Sequence, residues 1–99
     1  TIILKGPIDV ISDGERVGII KKGYYSRYMT KEGFGNTLAG ILISTLIRTK
    51  DPFIASCAAG YINGKAGELA SKKYLEGVLP TDLIEEIPNV LRKILVNRI

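Results

Sequence analysis

The sequence predicts an α/β architecture: three short strands, two of them in a hairpin, followed by about four helices. Three observations predict it. Before residue 33, β-branched residues alternate with turn signals. After it, apolar residues recur at helical spacing. Between them, Asp13-Gly14 separates two apolar runs, which is a strong short-range hairpin signal.

Thr1 to Leu4 reads as a short buried strand ended by Gly6-Pro7. Ile8–Ser12 and Arg16–Ile20 flank Asp13-Gly14-Glu15 as the hairpin arms. Lys21 to Glu32 is polar and aromatic without a period, and reads as a loop. The first helix is expected from Asn36 to about Thr49. Its apolar residues (Leu38, Ala39, Ile41, Leu42, Ile43, Leu46, Ile47) surround most of the circumference, the pattern of a buried helix. Asp51-Pro52 supplies an N-cap and a proline at the first helical position of a second helix, which runs to about Tyr74. That helix is dense in Ala and Gly, so another backbone can approach it closely. Thr81-Asp82 is expected to cap a third helix, with Pro88 separating Asp82–Ile87 from a last helix over Asn89–Asn97.

Ninety-nine residues, 45% apolar and 24% charged, make an ordinary globular composition for one small domain or part of a larger one. The absence of His and the single cysteine, Cys57, exclude a disulfide framework, His/Cys zinc sites and nucleophile systems that need His. No apolar stretch approaches the roughly 20 residues of a bilayer span, and nothing resembles a secretory signal. A cytoplasmic setting without a membrane partner is the expectation. The chain begins at Thr1 and runs directly into a strand. Three short strands cannot alone form a sheet with both faces covered. The whole of 1–99 is therefore expected to be the C-terminal segment of a longer domain, completed by the rest of that domain or by a second copy.

The segment that bears on chemistry is Gly33-Phe34-Gly35-Asn36. Glycines just before an apolar helix let backbone N–H groups turn toward a ligand, where the helix start adds partial positive charge. Such a segment suits a phosphate or a developing oxyanion. The net charge of +4 is compatible with that but names no ligand. A plain turn and cap would look the same, and that reading is the commoner one.

In its wider context the chain resembles the ribokinase-like fold, and within it the ADP/ATP-dependent NAD(P)H-hydrate dehydratases. That family carries a strand ending in LKG, a loop with NPGM, the stretch GTGDVLAGI, an alanine-rich helix with HGxAGDxA, and a TDLIEEIP-like segment. The matching stretches here are Ile3-Leu4-Lys5-Gly6, Met29-Thr30, Gly33 to Ile41, Asn63 to Ala70 and Thr81 to Pro88, in the family's order. The resemblance covers about the last third of a family domain and implies the C-terminal part of a ribokinase-like sandwich. It further implies an enzyme that uses ADP or ATP, with Mg2+, to repair hydrated NAD(P)H. Lys5, Gly6, Pro7, Ile8 and Asp9 resemble the nucleotide-holding segment, joined by Gly35. Gly33, Phe34, Gly35 and Asn36 match the anion hole, and Asn36 occupies the position of the family's Asp base.

That departure matters. Asn and Asp cap helices about equally well, so the fold tolerates either. An amide, however, does not take up a proton near neutral pH, and losing a general base commonly costs about 10²–10⁴-fold in rate. Ser26-Arg27-Tyr28 also replaces the family's NPG, Lys31-Glu32 replaces small residues, and Asn63 stands for the helix His. The expectation is a diverged dehydratase of weak or absent activity. The alternative is a non-catalytic module that keeps the fold as a nucleotide-binding or interaction surface.

Other features read more plainly. Lys21, Lys22, Tyr24, Tyr25, Arg27 and Tyr28 mix cations and rings as single-strand binders do, but a solvated loop explains them and nucleic acid is not expected as a partner. Cys57 reads as a small buried apolar residue. Lys72-Lys73 and Glu85-Glu86 read as solvated helix faces.

Overall fold

The computed structural model describes residues 1–30 and 32–96. The strands β1 (Ile2–Leu4), β2 (Ile8–Ser12) and β3 (Val17–Lys21) form one antiparallel sheet in that order. The helices α1 (Phe34–Thr49), α2 (Pro52–Tyr74) and α3 (Pro80–Val96) follow, with 3-10 turns at Tyr24–Tyr28 and Leu75–Gly77. The expected element order is present, with three helices in place of about four. Lys31 and the expected helix end at Asn97 lie outside the described residues.

Register assigns the two sheet faces. Ile3, Ile11 and Gly18 stand opposite one another, as do Asp9 and Ile20. Ile11 and Asp9 are buried, which makes this the inner face against α2. At Gly60 of α2 a Cβ would come within 2.6 Å of the end of the Ile20 side chain, which would have to shift to admit it, so the bare backbone here lets the sheet sit close. The opposite face presents Ile2, Leu4, Ile8, Val17 and Ile19, all exposed. Turn chemistry holds the hairpin: Asp13 Oδ1 accepts from the N–H groups of Glu15 and Arg16 at 2.9 and 2.6 Å. Those bonds and the Arg16 guanidinium hold its carboxyl down at about 2. Arg16 also forms a fork with Asp51, whose Oδ1 caps α2 at Phe53 and Ile54. The hairpin is thereby stapled to the start of α2.

Small residues let α2 occupy the centre. Ala55, Ala59, Ala66 and Ala70 have no exposed surface, and both α1 and α3 pack along this helix. The main core joins Phe34, Ile62, Ala66, Ala70, Val78, Leu83 and Val90.

Five expectations are corrected. The first strand is present but not buried, since Ile2 and Leu4 lie on the bare outer face of the sheet. Helix α1 starts at Phe34 rather than Asn36, because Gly33 adopts φ 101° and becomes the cap, which places Asn36 inside the first turn. Helix α1 is not enclosed either. Only Phe34 and Leu38 are buried, while Ile43 and Ile47 are 62% and 70% exposed. Helix α3 begins at Pro80 and continues through Pro88. Asp82 serves it from within the first turn by accepting from the Leu79 N–H at 2.8 Å. Pro88 and Ile84, whose carbonyl loses its partner, both lie on the solvent side, while Leu83 and Val90 stay anchored in the core. Finally, Glu86 is a buried residue and not part of a solvated face. Lys73 Nζ approaches its Oε2 at 3.1 Å and Asn89 Nδ2 donates to its Oε1 at 3.1 Å, so the pair ties α2 to α3.

Among the described residues, no helix is long and apolar enough to cross a membrane.

Candidate functional site

Two hollows flank the start of α1. One, of about 590 Å³, is walled by the β1–β2 connection, the end of β3, the 3-10 turn and α2. Lys5, Gly6, Pro7, Asp9, Lys22, Arg27, Phe34 and Asn63 are among its lining residues. The other, of about 690 Å³, is a largely apolar groove between α1 and α3. Gly33, Asn36, Thr37, Gly40, Ser44 and Arg48 line it from α1, facing Ile84, Ile87 and Leu91. It is the larger of the two, but the cations gather in the first.

The geometry of the first hollow follows from strand ends. After β1 the chain turns through Lys5-Gly6-Pro7, and Asp9 of β2 points inward because it alternates with the outward Ile8 and Val10. Asp9 is buried, and its carboxylate holds the turn by accepting from the Gly6 N–H at 3.2 Å. Lys22 Nζ lies 2.9 Å from the same oxygen. Lys5 Nζ stands 4.0 Å from the point where a Cβ on Gly35 would sit, so its ammonium lies beside the first turn of α1. Gly33, the cap residue, brings no side chain to that turn, and the turn holds no acidic residue. Its leading N–H groups have no intrahelical acceptor. A lysine and the positive end of a helix thus face the same space, an arrangement that attracts phosphate.

Thr37 anchors this end of α1. Its Oγ1 lies 2.7 Å from Asn63 Oδ1 on α2 and donates to the Phe34 carbonyl at 2.8 Å. Asn63 is 4% exposed, so the link is internal. On the far wall, the Arg27 guanidinium lies 4.2 Å from the Tyr24 ring centroid, and Tyr24 meets Tyr25 edge-on. Lys72 sits 5.7 Å from the Tyr25 centroid. These rings and cations therefore engage one another within the chain.

The sequence-selected residues are brought together in part. Lys5, Gly6, Pro7 and Asp9 line the first hollow with Phe34, and Gly35 stands beside Lys5. Ile8 lies on the outer sheet face, 49% exposed, and is not among the lining residues. Gly33 and Asn36 line the neighbouring groove, so the first turn of α1 separates the two spaces. Lys22, which the sequence suggests only as part of a solvated loop, and the Thr37–Asn63 link were not expected at the site. The two-residue alternation of β3 was the signal for Lys22, since it carries Gly18, Ile20 and then Lys22 to the inner face.

The described residues by themselves form no all-protein cage for magnesium. Among the described residues no group of three or more His, Cys, Asp or Glu could hold a metal ion. Asp9, the carboxylate in the cavity, is committed to Lys22 and Gly6.

Residues 1–89 match the carbohydrate-kinase family model described as NAD(P)H-hydrate dehydratase. A bifunctional NAD(P)H-hydrate repair enzyme of Hyperthermus butylicus is 43% identical over 90 residues, which are 91% of this chain and 16% of that protein. An ADP-dependent (S)-NAD(P)H-hydrate dehydratase of Cenarchaeum symbiosum is 42% identical over 92 residues, 93% of this chain and 31% of that protein. The bifunctional repair enzyme of Methanocaldococcus jannaschii is likewise 42% identical, over 18% of its length. The chain therefore spans between about a sixth and a third of these curated relatives. No solved structure matches it. The strand–hairpin–helix order fits a C-terminal piece of a carbohydrate-kinase-like fold, and the chain belongs to the NAD(P)H-hydrate dehydratase family.

Proposed function

We propose that this chain is the C-terminal part of an ADP- or ATP-dependent NAD(P)H-hydrate dehydratase, contributing the anion-holding end of its nucleotide site. The observation that carries this reading is the Lys5 ammonium beside the first turn of α1, whose cap residue Gly33 offers no side chain, on one wall of a cavity that also holds Lys22 and Arg27. In this reading the N–H groups of residues 34–36 and the side chain of Lys5 receive the phosphates of the adenine nucleotide. The Lys5–Asp9 turn supports the rest of the nucleotide. Phosphoryl transfer to the hydroxyl of hydrated NAD(P)H, followed by loss of phosphate with a ring proton, restores the double bond of NAD(P)H.

Asn36 is the weak point. It sits where the resemblance places the general base, and its amide stays neutral, so the hydroxyl proton has no acceptor there. The chain is accordingly a slow or silent dehydratase acting in the cytoplasm. The exposed apolar sheet face and the outer side of α1 are covered by the remainder of the family domain or by a second copy. The partners are an adenine nucleotide and the hydrated NAD(P)H.

Asn36→Asp tests the reading, assayed in the complete polypeptide for ADP- or ATP-driven conversion of NADH hydrate. The repair rate is expected to rise by about 10²–10⁴-fold, the usual worth of a general base. Should the variant gain nothing while ADP still binds calorimetrically, the chain is a non-catalytic nucleotide-binding module.

A further inference from the structure

The Asp9–Lys22 pair is an unusual thing to find in a chain this small. Its side chains are only 5% and 15% exposed, and a lysine and a carboxylate withdrawn from water gain little net stability from each other. Both line the cavity that holds Lys5 and Arg27. One oxygen, Asp9 Oδ1, receives both the Lys22 ammonium at 2.9 Å and the Gly6 N–H at 3.2 Å. An ammonium has three donors, of which Asp9 occupies one. The carboxylate therefore does two jobs: it shapes the turn, and it cancels one of three positive side chains in the cavity.

We propose that Lys22 is a phosphate-binding residue of this cavity and that Asp9 is its masking counter-ion, setting how tightly a phosphate-bearing ligand is held. The proposal rests on the nucleotide reading above and adds to it a residue that the family pattern does not mark. With Asp9 in place the cavity side chains carry two net positive charges, from Lys5, Lys22 and Arg27 less Asp9. Without it they carry three. The two partners therefore act in opposite directions on an anionic ligand, whereas a simple structural brace would make both losses harmful.

ADP and AMP titrated calorimetrically into the full chain test this. Asp9→Asn keeps an oxygen for the Gly6 N–H and unmasks Lys22. ADP is expected to bind about three- to ten-fold tighter at low salt, with a smaller gain for AMP and a gain that shrinks as salt is added. Lys22→Met leaves the carboxylate facing the phosphates, and affinity is expected to fall by about ten-fold or more. The double variant should lie between. Equal weakening by both single changes, in step with their losses of melting temperature, would overturn the proposal in favour of a brace. So would an unchanged affinity in Asp9→Asn, which is nearly isosteric and reads the sign alone if Lys22→Met fails to fold. A wild-type chain that binds no ADP sinks the nucleotide reading together with this one. A wild-type chain that binds, with Lys22→Met binding equally well, sinks this one only.

Discussion

Helices α1 and α2 are both rich in apolar residues, yet they end up in opposite situations. Helix α2 carries alanines and glycines and lies against the sheet, α1 and α3, with eleven residues buried. Helix α1 carries leucines and isoleucines and buries two. The contrast teaches that side-chain size decides which helix can sit at a crowded centre, since only short side chains admit three neighbours at backbone distance. Large ones need a partner that comes to them. Along α1 that partner exists on one side only, and the outer sheet face shares the deficit through Ile2, Leu4, Val17 and Ile19.

The largest test of this contrast is energetic. Leu83 is fully buried beneath α2, so Leu83→Ala should cost about 2–5 kcal/mol in denaturant unfolding. Ile47→Ser on the outer side of α1 should stay within about 0.5 kcal/mol, since Ile47 is 70% exposed. Comparable losses at the two positions would mean that α1 is covered in solution. The next effect is on association. An apolar surface of this extent should make the chain self-associate. The weight-average mass by sedimentation should exceed that of one copy and fall toward it in Ile43→Ser/Ile47→Ser. A clean monomer in the unmodified chain would contradict the expectation.

The smallest effect is a pH dependence. Lys73 beside Glu86, helped by Asn89, holds the Glu86 carboxyl below its ordinary value of 4.5. A depressed folded-state value means that the pair's stabilisation is present above the ordinary value and is lost as pH falls through the lowered one. Melting temperatures of the unmodified chain and Glu86→Gln should therefore differ most above the ordinary carboxyl value of 4.5 and converge as pH falls through the lowered one. A difference that is constant across that range would break the assignment.

How far the residues alone foretell this molecule depends on how local the cause is. Asp13-Gly14 placed the hairpin, and Asp51-Pro52 placed the start of α2, because caps and tight turns satisfy their own backbone within three or four residues. Pro88 misled for the complementary reason. Local chemistry says break, but a solvent-facing proline on a helix anchored by Leu83 and Val90 costs less than giving up that core. Asn36 reads as a helix start from its neighbours alone, but Gly33, with its left-handed backbone, begins the helix earlier. Within the site, the Lys5-to-Asp9 turn and the Gly33-to-Asn36 segment were readable as motifs, whereas Lys22 was not, because its role depends on register with a residue of another strand.

The order of elements, the hairpin, the small-residue helix and the family are legible along the chain, since each rests on residues close together or on their succession. Folding settled that Asp9 meets Lys22, that Asn36 faces a different hollow from Lys5, that Glu86 is buried and that α1 lies half bare. Those outcomes depend on which surfaces meet across many residues, and burial is a property of the neighbours rather than of the segment.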